Sequence, residues 1–133
     1  MSAITTHVLD TVLGKPASGV AVRLEQQEGS GWIEVTHNEG ETPPWTERVQ
    51  DTSGPWSEIS RGVTDADGRC RDLAKDLAPG VYRLIFDTGA YLRHMGRSSI
   101  YPEITITFVS RNDAHYHLPL LLSDNSYTTY RGS

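Results

Sequence analysis

Val20-Ala21-Val22-Arg23-Leu24-Glu25 puts Val20, Val22 and Leu24 on one side and Ala21, Arg23 and Glu25 on the other. A two-residue period is the signature of a strand with one buried face. The same period runs outward in both directions. Ile4 to Asp10 alternates and closes on a turn at Gly14-Lys15-Pro16. Trp32 to Thr36 resumes after Gly29-Ser30-Gly31, and Ser60 to Thr64 is a short strand before the turn Asp65-Ala66-Asp67-Gly68. Val81 to Asp87 follows Ala78-Pro79-Gly80, and Glu103 to Val109 sends Ile104, Ile106 and Phe108 to one face. His115 to Leu122 and Ser126 to Arg131 read as a closing hairpin. Asp87 or Thr88 caps one short helix over Gly89 to Met95, ended by Gly96. Many short strands punctuated by turns predict an all-β sandwich or barrel.

The chain has 133 residues, the size of one domain, and no internal repeat. Its net charge of -5, with no block of Lys or Arg, argues against nucleic acid or an anionic membrane as the main partner. No apolar stretch approaches the roughly 20 residues of a membrane span. Met1-Ser2-Ala3-Ile4-Thr5-Thr6-His7 lacks the charged and apolar regions of a secretory signal. The single Cys70 excludes an internal disulfide and fits a reducing compartment, with the cytoplasm expected. Beside Arg69, that thiol reads either as activated or as a small buried side chain. Residues 38–57 contain Gly40, Pro43-Pro44 and Gly54-Pro55, a composition that predicts a long loop carrying Trp45 and Trp56. It reads as a surface excursion packed back on the body, or as a lid or contact arm.

Five histidines are present. His37 and His94 read as solvated. His7 lies inside the first strand, and His115 and His117, two apart, share a face of another. Such a pair can bind metal, exchange protons or hydrogen-bond at an interface. No His-x-x-x-His or Cys-x-x-Cys spacing accompanies it, no Gly-x-Ser-x-Gly elbow supplies a nucleophile, and no Gly-x-x-x-x-Gly-Lys cradles phosphate. Water attack assisted by His is the natural route for any hydrolysis here. Arg69 follows the tight turn, and its guanidinium fork suits carboxylate or carbonyl oxygens. From the residues alone the preferred reading is a surface Arg near Asp65 or Asp67.

Thr6-His7-Val8-Leu9-Asp10-Thr11 with Gly14-Lys15-Pro16-Ala17, then Thr64-Asp65-Ala66-Asp67-Gly68-Arg69, then Phe86-Asp87-Thr88-Gly89-Ala90-Tyr91, then His115-Tyr116-His117-Leu118-Pro119-Leu120-Leu121-Leu122-Ser123, and finally Tyr127-Thr128-Thr129-Tyr130-Arg131-Gly132-Ser133 run the length of the chain. Together they resemble the 5-hydroxyisourate hydrolases of the transthyretin-like family. The resemblance implies a transthyretin (prealbumin)-like sandwich of two four-stranded sheets with one short helix. It implies a homotetramer, a dimer of dimers whose sites lie in a central channel, and hydrolysis of 5-hydroxyisourate without cofactor or metal. It places catalysis on His7, Arg69 and His117 and substrate contacts on Tyr130, Ser133 and His115. The carrier branch of the same fold replaces the three catalytic positions. Two other readings stay open: a transthyretin-like carrier, and a zinc hydrolase on His7, His115 and His117. Relative to the family, 38–57 looks inserted, and Asp124-Asn125-Ser126 stands where an aromatic-Gly turn is usual.

Overall fold

Alternation becomes architecture because each strand has to bury its apolar face against another layer. In the computed structural model, which describes residues 2–29, 31–40, 43–111 and 115–132, the chain order is β1 (Ser2–Asp10), β2 (Lys15–Pro16), β3 (Ala21–Gln27), β4 (Trp32–His37), β5 (Trp45–Gln50), β6 (Trp56–Val63), β7 (Arg69–Leu77), β8 (Gly80–Phe86), α1 (Thr88–His94), β9 (Ile104–Ser110), β10 (His115–Leu122) and β11 (Tyr127–Thr129). One sheet runs β6-β3-β8-β9. The other runs β11-β10-β1-β2, with β7 also paired to β1. Ile4, Val8, Leu120 and Leu122 from the second sheet meet Val22, Leu24, Leu84 and Phe86 from the first in one apolar core.

The expected pair of four-stranded sheets therefore gains a strand. β1 pairs in parallel with β10 along one edge, from Ala3 opposite His115 to Asp10 opposite Leu122. Its other edge is shared: β7 takes the stretch from Ser2 to His7, and β2 takes Leu9 and Asp10. Gly68 sits at the handover with φ +78°, and a Cβ there would lie 2.3 Å from the Val8 carbonyl oxygen. Only glycine combines that dihedral with so close an approach. The Val8 amide donates to the Gly68 carbonyl at 2.7 Å, which fixes where β7 begins.

Residues 38–57 correct the loop expectation. The segment contains β5 and the start of β6, and β4 and β5 form an antiparallel hairpin of their own, in register from Trp32 opposite Gln50 to His37 opposite Trp45. Cross-strand pairs stabilise it. Ile33 faces Val49, the Thr36 and Thr46 hydroxyls lie 3.0 Å apart, and His37 stacks on Trp45 with ring centroids 4.0 Å apart. Pro43-Pro44 precedes β5, so it breaks no ladder.

The short helix forms where the sequence places it. The Asp87 carboxylate accepts the Ala90 amide at 3.3 Å, and Gly96 at φ +72° terminates the turn. That ending delivers Arg97 to the buried Asp10 at the end of β1. Its guanidinium donates to Asp10 Oδ2 at 2.5 Å and to Asp124 Oδ1 at 2.6 Å, while the Tyr91 hydroxyl donates to Asp10 at 2.8 Å. Burial pushes the Asp10 carboxyl upward, but the hydrogen bonds from Arg97, the Leu13 amide and Tyr91 outweigh it and hold the pKa below its usual value. Tyr91 is driven up to about 12 by burial and by that same carboxylate. The network ties the end of β1 to the turn between β10 and β11.

Candidate active site

In β1 the even residues Ile4, Thr6, Val8 and Asp10 are buried in the core. Alternation turns Thr5 and His7 to the opposite face of the sheet. Register then assembles the site from three strands. Arg69 of β7 lies directly opposite His7. His117 of β10 lies beside Thr5, and His115 beside Ala3. One sheet face thus gathers His7, Arg69, His117 and His115, from stretches separated by up to about 110 positions. The three residues expected to be catalytic thus lie in neighbouring rows of that face.

The rings are held unequally. His117 is half-buried, and its Nδ1 lies 2.8 Å from Thr5 Oγ1. The same hydroxyl lies 2.8 Å from Nε2 of the exposed His115, so one oxygen bridges both rings. The His117 carbonyl accepts the Gly132 amide at 2.7 Å. A Cβ on Gly132 would stand 2.7 Å from His117 Cδ2, so the chain end closes against the ring edge through a residue with no side chain. Burial, then the charges of Arg69, His115 and His7, push the His117 pKa below its ordinary 6.5. A neutral imidazole near pH 7 is the form that accepts a proton. His7 Nε2 is buried with no hydrogen-bond partner among the described residues. Leaving such a group unsatisfied costs about 1–3 kcal/mol, a cost that persists most readily where a ligand or reactant supplies the bond.

The remaining expected residues divide. The β10–β11 register pairs Leu120 with Thr129, and the isolated bridge pairs His117 with Gly132. Extending it sets Tyr130 beside Pro119, in the row of His7 and Arg69, with its side chain more than half exposed. Ser133 lies outside the described residues. His115 is further fixed through its carbonyl, which accepts from Arg131 Nη2 at 3.1 Å. Arg131 in turn lies 4.3 Å over the Tyr116 ring. The three imidazoles are not arranged as a zinc site: among the described residues no group of three or more His, Cys, Asp or Glu is placed to hold a metal, and Thr5 engages the two nearest ring nitrogens. Cys70 is buried on the core side of β7. His37 lies in the hairpin, 3.4 Å from Glu47. Sequence reasoning missed Thr5 and Gly132. Thr5 was legible, since it lies two residues before His7 in an alternating strand.

The family model described as HIUase/Transthyretin family matches residues 4–132. The chain belongs to this family. A 5-hydroxyisourate hydrolase of Caulobacter vibrioides is 40% identical, with 100% of each chain covered. The structure of Klebsiella pneumoniae 5-hydroxyisourate hydrolase superposes with a TM-score of 0.75 at 32% identity, covering 100% of both chains. The transthyretin of Sparus aurata superposes with the same TM-score at 30% identity, covering 98% of this chain and 96% of that one. The backbone alone does not separate the hydrolase from the transthyretin.

Proposed function

We propose that this chain hydrolyses 5-hydroxyisourate to 2-oxo-4-hydroxy-4-carboxy-5-ureidoimidazoline, a step in urate degradation, and that it works as a homotetramer whose central channel encloses the site. The observation that carries the reading is the cross-strand placement of Arg69 opposite His7, with His117 one row away on the same face. The curated relatives named 5-hydroxyisourate hydrolase support the substrate.

Hydrolysis of a ring amide needs three things: an activated water, stabilisation of the oxyanion that forms, and a proton for the departing nitrogen. His117, neutral because its cation is disfavoured, takes a proton from water as the oxygen adds to the ring carbonyl. Arg69 faces the developing negative charge; an oriented donor of this kind contributes roughly 3–4 kcal/mol in other sites. As the carbon–nitrogen bond breaks, the nitrogen is protonated and a carboxylate is left. His117 returns the proton it took to that nitrogen, and His7 orients the water. Positioned acid–base groups contribute about 10²- to 10⁴-fold. Tyr130 and His115, on the exposed side of the site, contact the substrate ring, and Ser133 is assigned a substrate contact from the motif alone.

The test is the ultraviolet absorbance of freshly generated 5-hydroxyisourate. Its decay should accelerate at trace protein concentration, and an unchanged decay rate rejects the proposal. The fold likeness to a transthyretin favours a second reading, a carrier that binds a small molecule in the channel without turnover. Binding of substrate with no acceleration of its decay would support that reading instead.

A further inference from the structure

We propose that Thr5 connects His117 to His115 as a proton relay, so that the charge generated at the buried ring is carried by the exposed one during turnover. The inference rests on the hydrolytic reading of the site for its kinetic consequence, and on the hydrogen-bond geometry alone for the link itself. Thr5 Oγ1 lies 2.8 Å from His117 Nδ1 and 2.8 Å from His115 Nε2. A hydroxyl has one proton to donate and two lone pairs with which to accept. With both rings neutral, the bridge is complete only if one ring donates to Oγ1 and the other accepts from it. The tautomers of the two histidines are therefore locked together.

In the first arrangement His117 carries its proton on Nδ1 and donates to Oγ1, and the hydroxyl donates to His115 Nε2. His117 Nε2 is then a bare lone pair, the form that can take a proton from water. A cation on His117 would stand among Arg69 from β7, His7 from β1 and His115 on its own strand, in a half-buried position. The relay avoids it. As Nε2 gains the proton, the Nδ1–H bond breaks and an Oγ1–H bond forms. The original Oγ1–H bond breaks and an Nε2–H bond forms on His115. His117 becomes the neutral Nε2–H tautomer, ready to donate, and His115 becomes the imidazolium, where solvent reaches it. When Nε2 gives its proton to the departing nitrogen, the sequence runs backward and restores the starting arrangement. The proton taken from water ends on the nitrogen, and no other donor or acceptor is consumed. Arg131 fixes the start of β10 by bonding the His115 carbonyl, which holds the exposed ring over the hydroxyl.

Thr5 is thus a positioning residue, and its loss has signatures that a packing role would not produce. Thr5→Val keeps the shape and removes the hydroxyl; Thr5→Ser keeps the hydroxyl. Thr5→Val should lower kcat about tenfold or more, less than the roughly 10²-fold or greater loss expected from deleting an acid–base group outright, with KM within about twofold, and Thr5→Ser should restore it. His115→Gln, at an exposed position, should lower kcat similarly, and combining it with Thr5→Val should add little, because both break one unit. Nitrogen-15 spectra of the imidazoles should show His115 and His117 titrating as a coupled pair in the parent chain and independently in Thr5→Val. Parent-like kcat in folded Thr5→Val or in His115→Gln overturns the relay, as do independent titrations in the parent chain. If the parent chain leaves 5-hydroxyisourate untouched, the functional reading falls by itself, and the spectra still decide whether the two rings share a proton path.

Discussion

The outer face of the five-stranded sheet and the β4–β5 hairpin both display histidine, arginine and aromatic rings, yet they are built in opposite ways. On the sheet face the functional side chains come from three strands, and the partners across them are distant in sequence: His7 meets Arg69, and Thr5 meets His115 and His117. In the hairpin every such contact is local: His37 stacks on Trp45, and Arg48 lies over Trp32 at 5.7 Å. Charge divides in the same way. Residues 28–51 hold six carboxylates and one arginine, so the whole net charge of -5 resides there and the rest of the chain balances. A face assembled by long-range register is as rigid as the core beneath it, whereas the hairpin is braced mainly by itself. Chemistry that depends on sub-ångström placement belongs on the first.

The largest effects should come from removing a group from the sheet face. His117→Ala and Arg69→Ala should each cut kcat by about 10²- to 10⁴-fold while the protein stays folded, the range for acid–base and oxyanion-stabilising groups. His37→Ala, the hairpin counterpart, should leave turnover unchanged. Steady-state kinetics on circular-dichroism-matched samples decide it, and equal losses from His37 and His117 would erase the distinction drawn between the two regions.

Next in size is the buried anchor of the same strand. Asp10→Ala leaves the Arg97 guanidinium with Asp124 alone and removes an acceptor from Tyr91. Breaking a buried ion pair costs about 3–5 kcal/mol, against a total stability of about 5–15 kcal/mol for a domain. Thermal unfolding should show a drop of many degrees. Glu47→Ala in the hairpin, an exposed partner of His37, should cost no more than about 1 kcal/mol. Gly132→Ala falls between the two regions in effect. Its methyl group would stand 2.7 Å from His117 Cδ2 and must push the ring aside, so kcat should fall about tenfold with Tm nearly unchanged.

How much of this was legible follows from the same contrast. Strands β1, β3 and β9 announce themselves by alternation, β8 and β10 by short apolar runs between turns, and the helix by its cap. β7 does not. Its apolar residues Cys70, Leu73, Ala74 and Leu77 are spaced as on a helix, and the strand accommodates them through two register shifts against β1 and a left-handed Asp76 at φ +58°. Arg69 was therefore visible as a residue after a turn but not as the cross-strand neighbour of His7. The proposed catalytic trio came from the motif resemblance, and spacing alone established only that His115 and His117 share a face. Half of the hairpin was legible, since Trp32 to Thr36 reads as a strand; its partner β5 was hidden because Gly and Pro stand so densely on either side of it.

A subtler test concerns proton affinity. Burial, Arg69, His115 and His7 hold the His117 pKa below 6.5, and the base must be neutral to act. The acid limb of kcat/KM should therefore fall below pH 6.5. Substituting Arg69 by Gln removes one of those cations, so the His117 titration, followed by nuclear magnetic resonance, should move upward. The linkage has a definite sign: the unfolded chain binds this proton more readily than the folded one, so the group costs nothing above pH 6.5 and destabilises the fold progressively as pH falls below it. An acid limb above 6.5 would show that another group governs the rate.

The smallest effect should follow the largest deletion. The hairpin leaves the body where the Glu28 amide donates to the Pro55 carbonyl at 2.8 Å, so residues 31–52 can be excised and the ends joined by a short turn without stretching β3 or β6. Loop closure becomes cheaper as the connection shortens, by about 0.6 kcal/mol for each halving. Against that stands the loss of whatever Trp32 and Gln50 contribute beside Pro79 and Arg111. The two oppose each other, and Tm should move by only a few degrees. Because the hairpin supplies no group to the sheet face, kcat of the shortened chain should stay within about twofold of the parent, well inside the effect of losing a single positioned acid–base group. A KM that drops on excision would mean that the arm restricts entry to the site, whereas a kcat that collapses would mean that the two regions are mechanically one.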